Sequence, residues 1–259
     1  MNVGQRFVTT DAGAVHVRIS GSGTPVLVLH SNGLSWHESV DLIAEIESEH
    51  RVIAWDMPGQ GDSDPVPWDL SIDDYAAAAA QVLDELVDEP VVVVGTSVGA
   101  FIGMSLARRR PDLVAGLCLV EFQFGGASWF AEHWEAVEQL FAVPTMSREA
   151  VQARLSRPCT DARFARWNID RNKAGSRSML GVMWAIRRFD VVTAVRELEH
   201  PVIAVFGSAG PTVGNASAVE QSLGVAGQVA LVEGAGHFVG IDQPSRLATI
   251  VRRLAATVR

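Results

Sequence analysis

The sequence predicts an α/β fold in which a mostly parallel sheet carries helices on both faces. Three observations lead to this prediction. Short apolar runs with strand character recur along the chain, segments with helical spacing of apolar residues lie between them, and one region, residues 122–200, interrupts the alternation. Strands that alternate with helices are typical of parallel sheets, because each crossover helix packs back onto the sheet.

The first strand pattern differs from those that follow. "AVHVRISG", near the N-terminus, alternates apolar and polar residues, which is typical of a strand with one buried face. The later runs are continuously apolar, which indicates strands covered on both faces. They are "PVLVLH" (25–30), "RVIAWD" (51–56), "PVVVVG" (90–95), "GLCLVE" (116–121), "PVIAVFG" (201–207) and "QVALVEG" (228–234).

Helices are predicted over residues 37–48, 71–87, 99–110 and 244–258. The second opens at Ser71 with an acidic residue three positions later, which is a capping-box pattern. Pro111 ends the third, and the basic run Arg108 to Arg110 before it suits a helix C-terminus.

Residues 122–200 contain no convincing strand and are rich in Trp, Phe and Arg. They are interpreted as four or five short helices that form a lid. The predicted domain organisation is therefore a core of residues 1–121 and 201–259 with a helical lid subdomain at 122–200.

Composition narrows the classes of partner. The 259 residues carry a net charge of −9 and lack a basic cluster, so no nucleic acid and no membrane partner is expected. The first residues have no apolar signal-peptide segment, and the two cysteines have no metal or redox spacing. We expect a cytoplasmic protein with reduced thiols; a homodimer is left open.

The strongest chemical motif is "VVVVGTSVGAF", in which Ser97 lies between a buried strand and a helix. The pattern Gly95-Thr96-Ser97-Val98-Gly99 predicts a strained turn that points the hydroxyl out of the sheet. The helix N-terminus adds free N–H groups beside it. Ser97 is therefore the predicted nucleophile, and the amide of Val98 is a predicted donor to an oxyanion.

The chain resembles the α/β-hydrolase family over essentially its whole length. "LHSNGLS" looks like the family's oxyanion loop, "DMPGQGDSD" (56–64) its D-x-P-G-x-G-x-S loop, and "EGAGHFVGIDQP" (233–244) its histidine loop. The resemblance implies that Asn32 supplies the second oxyanion amide and that His30 organises its loop. Ser31 departs from the family pattern, and its hydroxyl is a candidate substrate contact.

His237 is the predicted general base, because it follows the last strand and so reaches the sheet edge where Ser97 lies. The other histidines have no comparable context. We expect these to be solvated: His16, His37, His50, His133 and His200.

The acid of the triad is absent from its usual place. In this family a turn such as "FGSAGPTVG" carries an aspartate three residues after the first glycine, and here that position is Gly210. Glu121, the first ionisable residue after the strand "LCLV", is the predicted replacement, since a buried carboxylate needs a partner. A salt bridge from Glu121 to a lid arginine is the alternative. Asp242, interpreted as a helix cap, and Asp56, interpreted as a loop organiser, are weaker rivals.

An early Glu together with an acid-free late turn resembles the zearalenone (resorcylic lactone) hydrolases. That resemblance implies a Ser-His-Glu triad and makes Trp184 a substrate-facing lid residue. Aromatic residues above a serine site suggest an apolar or aromatic ligand, and Phe122 and Trp129 are the further substrate candidates. The alternative is that the lid aromatics only pack the lid onto the core.

The function expected from the sequence is a cofactor-free and metal-free serine hydrolase that cleaves a small-molecule ester or lactone through an acyl-enzyme. The sequence does not separate this from C–C bond hydrolysis or a haloperoxidase-like activity on the same triad. A non-catalytic small-molecule receptor is the alternative outside the enzymes.

Overall fold

The computed structural model describes residues 4–66, 69–225 and 227–258. Within them one eight-stranded sheet has the strand order β1-β2-β4-β3-β5-β6-β7-β8. β2 pairs antiparallel with β1 and with β4, and all other neighbours are parallel. The strands are β1 Gly4–Thr10, β2 Gly13–Ser20, β3 Thr24–Leu29, β4 His50–Trp55, β5 Val91–Thr96, β6 Val114–Val120, β7 Val202–Gly207 and β8 Gly227–Val232.

Ten α-helices lie in the described part of the chain: α1 Val40–Ile46, α2 Ile72–Leu86, α3 Val98–Arg109, α4 Gly126–Ala142, α5 Arg148–Gln152, α6 Asp161–Arg188, α7 Val191–Arg196, α8 Ala216–Ser222, α9 Val239–Asp242 and α10 Pro244–Thr257. The predicted capping box is present at the start of α2, where the Ser71 side chain accepts from the Asp74 amide and the Asp74 side chain accepts from the Ser71 amide.

The continuously apolar strands β3 to β7 are buried on both faces of the sheet. The run that forms β8 was expected to be covered in the same way, but β8 is an edge strand and is partly exposed, with Leu231 at 61%. In β5, Val91 and Val93 join the core under α2 and α3, whereas Val92 and Val94 join the core under α1 and α10. Alternate side chains of a strand point to opposite faces, so an unbroken valine run is what a doubly covered strand requires. This arrangement confirms the predicted fold class.

Residues 122–200 contain α4 to α7 and no strand, and α6 is broken at Gly175, whose φ is +68°. Residues of α4 and α6 enter the same core cluster as α2 and α3; they include Phe130, Val137, Val182 and Ile186. A separate apolar cluster joins Val151, Leu155 and Trp167 of this region to Leu34 and Phe238. The proposed division of the chain at residues 121 and 201 stays a prediction.

Two histidines differ from expectation. His16 and His50 are not solvated but buried, at 1% and 2% exposure. His16 lies on β2 beneath the loop that follows β4, and its Nδ1 is 2.9 Å from Asp56 Oδ2. In the described ranges, no helix is both long and apolar enough to cross a membrane.

Candidate active site

Ser97 lies at the sharp turn between β5 and α3. Its φ of 55° and ψ of −115° are strained for a residue with a side chain, and its hydroxyl makes no capping hydrogen bond to α3. A Cβ on Gly95 would lie 2.7 Å from the Ala100 nitrogen, and one on Gly99 would lie 2.8 Å from the Leu29 carbonyl carbon. Both glycines are therefore required by the close approach of strand and helix.

The start of α3 creates a favourable place for negative charge. Val98 is the first residue of the helix, so its N–H has no carbonyl one turn earlier within α3. The Ser97 amide instead donates to the Val120 carbonyl, at 2.9 Å, which ties the turn to the end of β6. Ser97 and Glu121 thus follow adjacent parallel strands at the same sheet edge.

Glu121 is fully buried and also has a positive φ, 48°. Its Oε1 accepts a hydrogen bond from the Gly207 amide at 2.6 Å, and its Oε2 accepts one from the Thr212 hydroxyl at 2.6 Å. Oε2 also lies 3.5 Å from Nδ1 of His237, an ion-pair distance that is long for a hydrogen bond. The carboxylate is therefore not paired with a lid arginine.

The missing aspartate has a steric explanation. A Cβ on Gly210 would lie 2.6 Å from Glu121 Cδ and 2.7 Å from Oε2, and closer still to Oε1. Real Cβ atoms essentially never approach so closely, so the Glu121 carboxylate occupies the space of a side chain at position 210. The two positions are mutually exclusive sites for an acid.

His237 follows β8 on a loop that is held from two sides. The Ala209 amide donates to the Ala235 carbonyl, and the Gly236 amide donates to Asp242 Oδ2, both at 2.9 Å. The imidazole is 14% exposed. Burial lowers the pKa of His237, Glu121 opposes this, and the charge of Arg154 lowers the pKa further. The ring is thus kept neutral, as a general base must be.

Asp242 does not cap a helix, which corrects the sequence interpretation. Its Oδ1 accepts from the amides of Ser156 and Arg157, at 3.0 and 3.2 Å, while Oδ2 holds Gly236. Asp242 therefore fastens the histidine loop to the loop after α5, and both of its oxygens are engaged there.

Asp56 organises a loop, as the sequence suggested. It accepts hydrogen bonds from the amides of Trp36 and Asp62 in addition to its contact with His16. Burial raises the pKa of Asp56, but the His16 hydrogen bond and the other donors outweigh burial and lower it. His30 is similarly engaged, because its Nε2 accepts the Met57 amide at 2.9 Å and its Nδ1 is 2.8 Å from the Ser31 carbonyl.

The oxyanion loop (residues 31–35) is held by buried side chains that the sequence did not single out. The Ser31 amide and hydroxyl donate to the two oxygens of Glu38, at 2.7 and 3.0 Å. Gln60 accepts from the Gly33 amide and donates to the Asn32 side chain, which itself donates to the Met179 carbonyl of α6. The side chains of Ser31 and Asn32 are thereby committed to the protein, which argues against Ser31 as a substrate contact.

The structure places two of the aromatic substrate candidates in different surroundings. Phe122 is 1% exposed and packs between Phe101 and Phe206, with ring centroids 6.3 and 5.5 Å away, so it belongs to the core. Trp184 is 37% exposed and lies 4.2 Å from the Trp134 ring, with arginines over its face. Trp184 therefore lies at the lid surface, and its role as a substrate contact stays a prediction.

Trp129, the remaining aromatic candidate, stacks on His133 at 4.4 Å and packs edge-on against Phe130. A cavity of about 340 Å³ opens beside the oxyanion loop, lined by Leu34, Trp167, Ile241 and neighbouring polar residues. Its lining includes neither Ser97 nor His237, so this cavity is not where attack occurs.

The described residues offer one arrangement with metal-like spacing. Donor atoms of His16, Asp56 and Asp62 lie within 4.8 Å of one another. His16 and Asp56 already bond each other, and Asp56 is satisfied by the amides above, so loop organisation accounts for the cluster.

Comparison with known proteins decides the family. The sequence profile of the alpha/beta hydrolase fold matches residues 24–244. The chain belongs to the α/β-hydrolase family.

Curated relatives of this α/β-hydrolase include hydrolases of several kinds. It is 38% identical over 113 residues to the lipase LipV of Mycobacterium tuberculosis, a match that spans 41% of either chain. It is 36% identical over 95 residues to a pimeloyl-[acyl-carrier protein] methyl ester esterase of Neisseria meningitidis, of which it covers only 34%. A 2-(acetamidomethylene)succinate hydrolase of Mesorhizobium japonicum is 26% identical over 90% of this chain and 89% of its own.

Solved structures share the fold of this α/β-hydrolase. The N-acyl homoserine lactonase AidH, in a mutant form complexed with N-hexanoyl homoserine, has a TM-score of 0.82 at 22% identity and covers 99% of this chain and 98% of its own. The esterase EaEST of Exiguobacterium antarcticum has a TM-score of 0.86 at 17% identity, over 96% and 98%.

Proposed function

We propose that the protein is a serine hydrolase that cleaves a carboxylic ester or lactone of a largely apolar small molecule through an acyl-enzyme. Ser97 is the nucleophile, His237 the general base and Glu121 the carboxylate that orients His237. The observation that carries the proposal is the contact of Glu121 with His237 Nδ1 in the space that Gly210 leaves free. The lipase and esterase relatives support the choice of an ester.

The proposed reaction has two halves. Ser97 Oγ attacks the carbonyl carbon and its proton moves to His237 Nε2, while the amides of Val98 and Asn32 receive the oxyanion. His237 then gives the proton to the leaving oxygen as the C–O bond breaks. A water molecule, deprotonated by His237, attacks the acyl-enzyme, and the proton returns to Ser97 as the acid departs.

Glu121 acts through the histidine. Its contact with Nδ1 holds the proton there and leaves Nε2 free to face the nucleophile, and its charge stabilises the imidazolium. The Gly207 amide and the Thr212 hydroxyl fix the carboxylate in this orientation. A Ser-His-Glu triad is also what a resorcylic lactonase would use, so such lactones belong in the substrate screen.

The first prediction concerns Ser97. A fluorophosphonate probe should label the protein once, on Ser97, and Ser97→Ala should abolish both labelling and hydrolysis, with turnover reduced by about 10⁴ to 10⁶. Labelling is read by intact mass and peptide mapping, and hydrolysis with aryl esters and lactones. Folded wild-type protein that does not label would favour the receptor alternative.

The second prediction concerns Glu121. Glu121→Gln should lower turnover by about two to four orders of magnitude, because an amide supports the wrong imidazole tautomer and stabilises imidazolium poorly. Turnover is measured on the aryl ester with the highest wild-type rate. Glu233→Gln, an exposed acid on the same histidine loop, is the control and should keep wild-type turnover. Equal activity of Glu121→Gln and wild type would exclude the proposed role.

A further inference from the structure

Two cationic side chains near the histidine and oxyanion loops lack a carboxylate partner. Arg171 of α6 is 3% exposed, and no carboxylate among the described residues lies within ion-pairing distance of it. Its Nε and Nη2 donate to main-chain carbonyls of residues 140, 143 and 144. Nη1 is directed to the oxyanion loop, since a Cβ on Gly33 would lie 3.3 Å from it.

Arg154, in the loop after α5, approaches the histidine from the other side. Its guanidinium carbon lies 5.8 Å from the ring of Phe238, the residue after His237, and its own carbonyl adjoins Gly236. In the part of the chain that the structure describes, no carboxylate pairs with its side chain. A partly buried guanidinium without an anion is costly, and several other lid arginines avoid that cost by pairing with an acid.

The neighbouring arginines show the contrast. Arg148 pairs with Asp161, Arg163 with Asp41, and Arg166 with Asp170. Arg154 and Arg171 have no such acid among the described residues. Arg187 and Arg188 also have none, but they lie against Trp184 on the lid surface, whereas Arg154 and Arg171 lie beside the histidine and oxyanion loops. The charge of these two is therefore available to a bound anion.

The pKa values agree with this placement of the two charges. Burial lowers the pKa of Arg171 to about 10, and the charge of Arg154 contributes to this lowering. The charge of Arg154 also lowers the pKa of His237. The geometric basis for assigning both charges to this region is Arg171 Nη1 beside Gly33 and the Arg154 guanidinium beside Phe238.

We propose that the substrate of this site is an ester or lactone that carries a free carboxylate, which binds between Arg154 and Arg171. This inference rests on the proposed function and further specifies that the substrate is an anion. A planar carboxylate matches the forked donors of a guanidinium.

The proposal has a consequence for catalysis. When a carboxylate neutralises Arg154, the repulsion on His237 disappears and the imidazolium formed during attack becomes easier to form. Anionic substrates should therefore have a higher kcat as well as a lower KM than neutral ones. The acid limb of the kcat profile should lie at higher pH than that of kcat/KM, because the pKa of His237 rises in the complex.

The kinetic test uses two matched pairs of esters. In one pair the acyl group carries the charge (mono-4-nitrophenyl adipate against 4-nitrophenyl hexanoate). In the other the alcohol carries it (3-acetoxybenzoate against phenyl acetate). Wild type should prefer the anionic member of at least one pair by about 30-fold or more in kcat/KM.

Variants test which arginine binds the carboxylate of the substrate. Arg154→Met removes a side chain that makes no hydrogen bond in the described ranges, so folding should be preserved. It should reduce the anionic preference at least about ten-fold, and Arg154→Lys should restore part of it. Arg171→Lys should also reduce the preference. Arg148→Met, a lid arginine that already has an acid partner, is the control and should leave the preference unchanged.

A binding measurement separates this inference from the proposed function. Calorimetry on Ser97→Ala should show monomethyl adipate, an anion, binding more tightly than the neutral methyl hexanoate, or 3-hydroxybenzoate more tightly than phenol, with the difference lost in Ser97→Ala/Arg154→Met. Absence of both differences overturns the carboxylate site even if neutral esters are hydrolysed. Tighter competition by inorganic phosphate than by monomethyl adipate would overturn the assignment to a carboxylate. A protein that neither labels with fluorophosphonate nor hydrolyses any ester contradicts the proposed function instead, while the binding data still decide the anion site.

Discussion

Glu121 is a residue under constraint from every side. Its positive φ costs about 1–3 kcal/mol relative to a relaxed conformation, and its carboxylate is removed entirely from solvent. The Gly207 amide, the Thr212 hydroxyl and His237 offset these costs at the carboxylate, and its own amide donates to the Val205 carbonyl. A strained backbone that aims a buried acid at a histidine is typical of a functional position rather than a structural one.

The shared space of Glu121 and Gly210 leads to a third prediction, on moving the acid. Glu121→Gly should lower turnover by about 10² to 10⁴, and the glycine accepts the positive φ. Gly210→Asp alone should also inactivate, because its side chain overlaps the Glu121 carboxylate. The double variant, Glu121→Gly with Gly210→Asp, should recover at least about ten-fold over either single variant by restoring an acid beside His237. Turnover of one ester by all three variants is the measurement.

The matched control for moving the acid from position 121 to position 210 is an aspartate at Gly214, where a new side chain meets open space. A Cβ on Gly214 would meet nothing within 4 Å, so Glu121→Gly with Gly214→Asp places a carboxylate on the same turn without the required position. It should show no recovery. Simple addition of the effects of the two single variants at 121 and 210 would mean that the acid cannot be moved. Glu121→Gln would not serve here, because Gln fills the same space as Glu.

At the scale of elements, the oxyanion loop depends on Glu38, an acid outside the triad. Both of its oxygens hold Ser31, and Asp170 lies near enough to act on it. Burial raises the pKa of Glu38 from 4.5 to about 7, against the lowering by the Ser31 hydrogen bonds. The oxyanion loop is thus held by the Glu38 carboxyl group, whose pKa lies near neutral pH.

The fourth prediction is the pH dependence of stability that follows. Since the pKa is higher in the folded than in the unfolded state, the contribution of Glu38 to stability is present below pH 4.5. It is lost as pH rises through about 7, by about 3 kcal/mol at most. Glu38→Gln should therefore gain stability relative to wild type between pH 4.5 and 7, as measured by urea denaturation at several pH values.

Glu47→Gln is the control, because this acid lies at the end of α1 and its side chain has no partner among the described residues. Its stability difference from wild type should stay constant over the same pH range. A difference between Glu38→Gln and wild type that does not change with pH would show that folding leaves the pKa of Glu38 unchanged.

Periodicity and turn chemistry predicted the central strands and the helices α2, α3 and α10, but they missed α8 and α9 and the length of α6. The valine run of β5, the turn at Ser97 and the exclusion of an acid from residues 207–214 were readable from residue types in order. The contacts that each side chain makes could not be predicted from the order of residue types. His16 and Phe122 were misjudged because burial depends on which face of the fold a residue meets, and Asp242 because its partners, Ser156 and Arg157, lie 85 or more residues away.

At the scale of the whole molecule, the lid helices and the sheet share one apolar interior. Val182 and Phe130 belong to the same buried cluster as residues of β5 and α3. Polar contacts join the same parts, since Asn32 donates to the Met179 carbonyl and Ser35 donates to Asp170. A lid attached in this way should not unfold by itself.

The fifth prediction is a single unfolding transition. Tryptophan fluorescence, to which the lid tryptophans contribute, and far-UV circular dichroism should give coincident urea transitions. Val182→Ala, at a fully buried lid position, should lower the free energy of unfolding by about 1–3 kcal/mol without splitting the transition. Val143→Ala, at a lid position that is 56% exposed, should change it by less than about 0.5 kcal/mol. A fluorescence midpoint below the circular dichroism midpoint would show that the lid melts first.

The overlap between Glu121 and Gly210 also restricts how such a protein can change over generations. A lineage that carried the acid on the strand-β7 turn could not acquire Glu121 first, because the two side chains would collide. It would have to lose one carboxylate before gaining the other and so pass through a form in which the catalytic histidine has no acid partner. The placement of the acid should therefore be inherited and hard to reverse. Descendants of an ancestor with either arrangement should keep the arrangement with which they began.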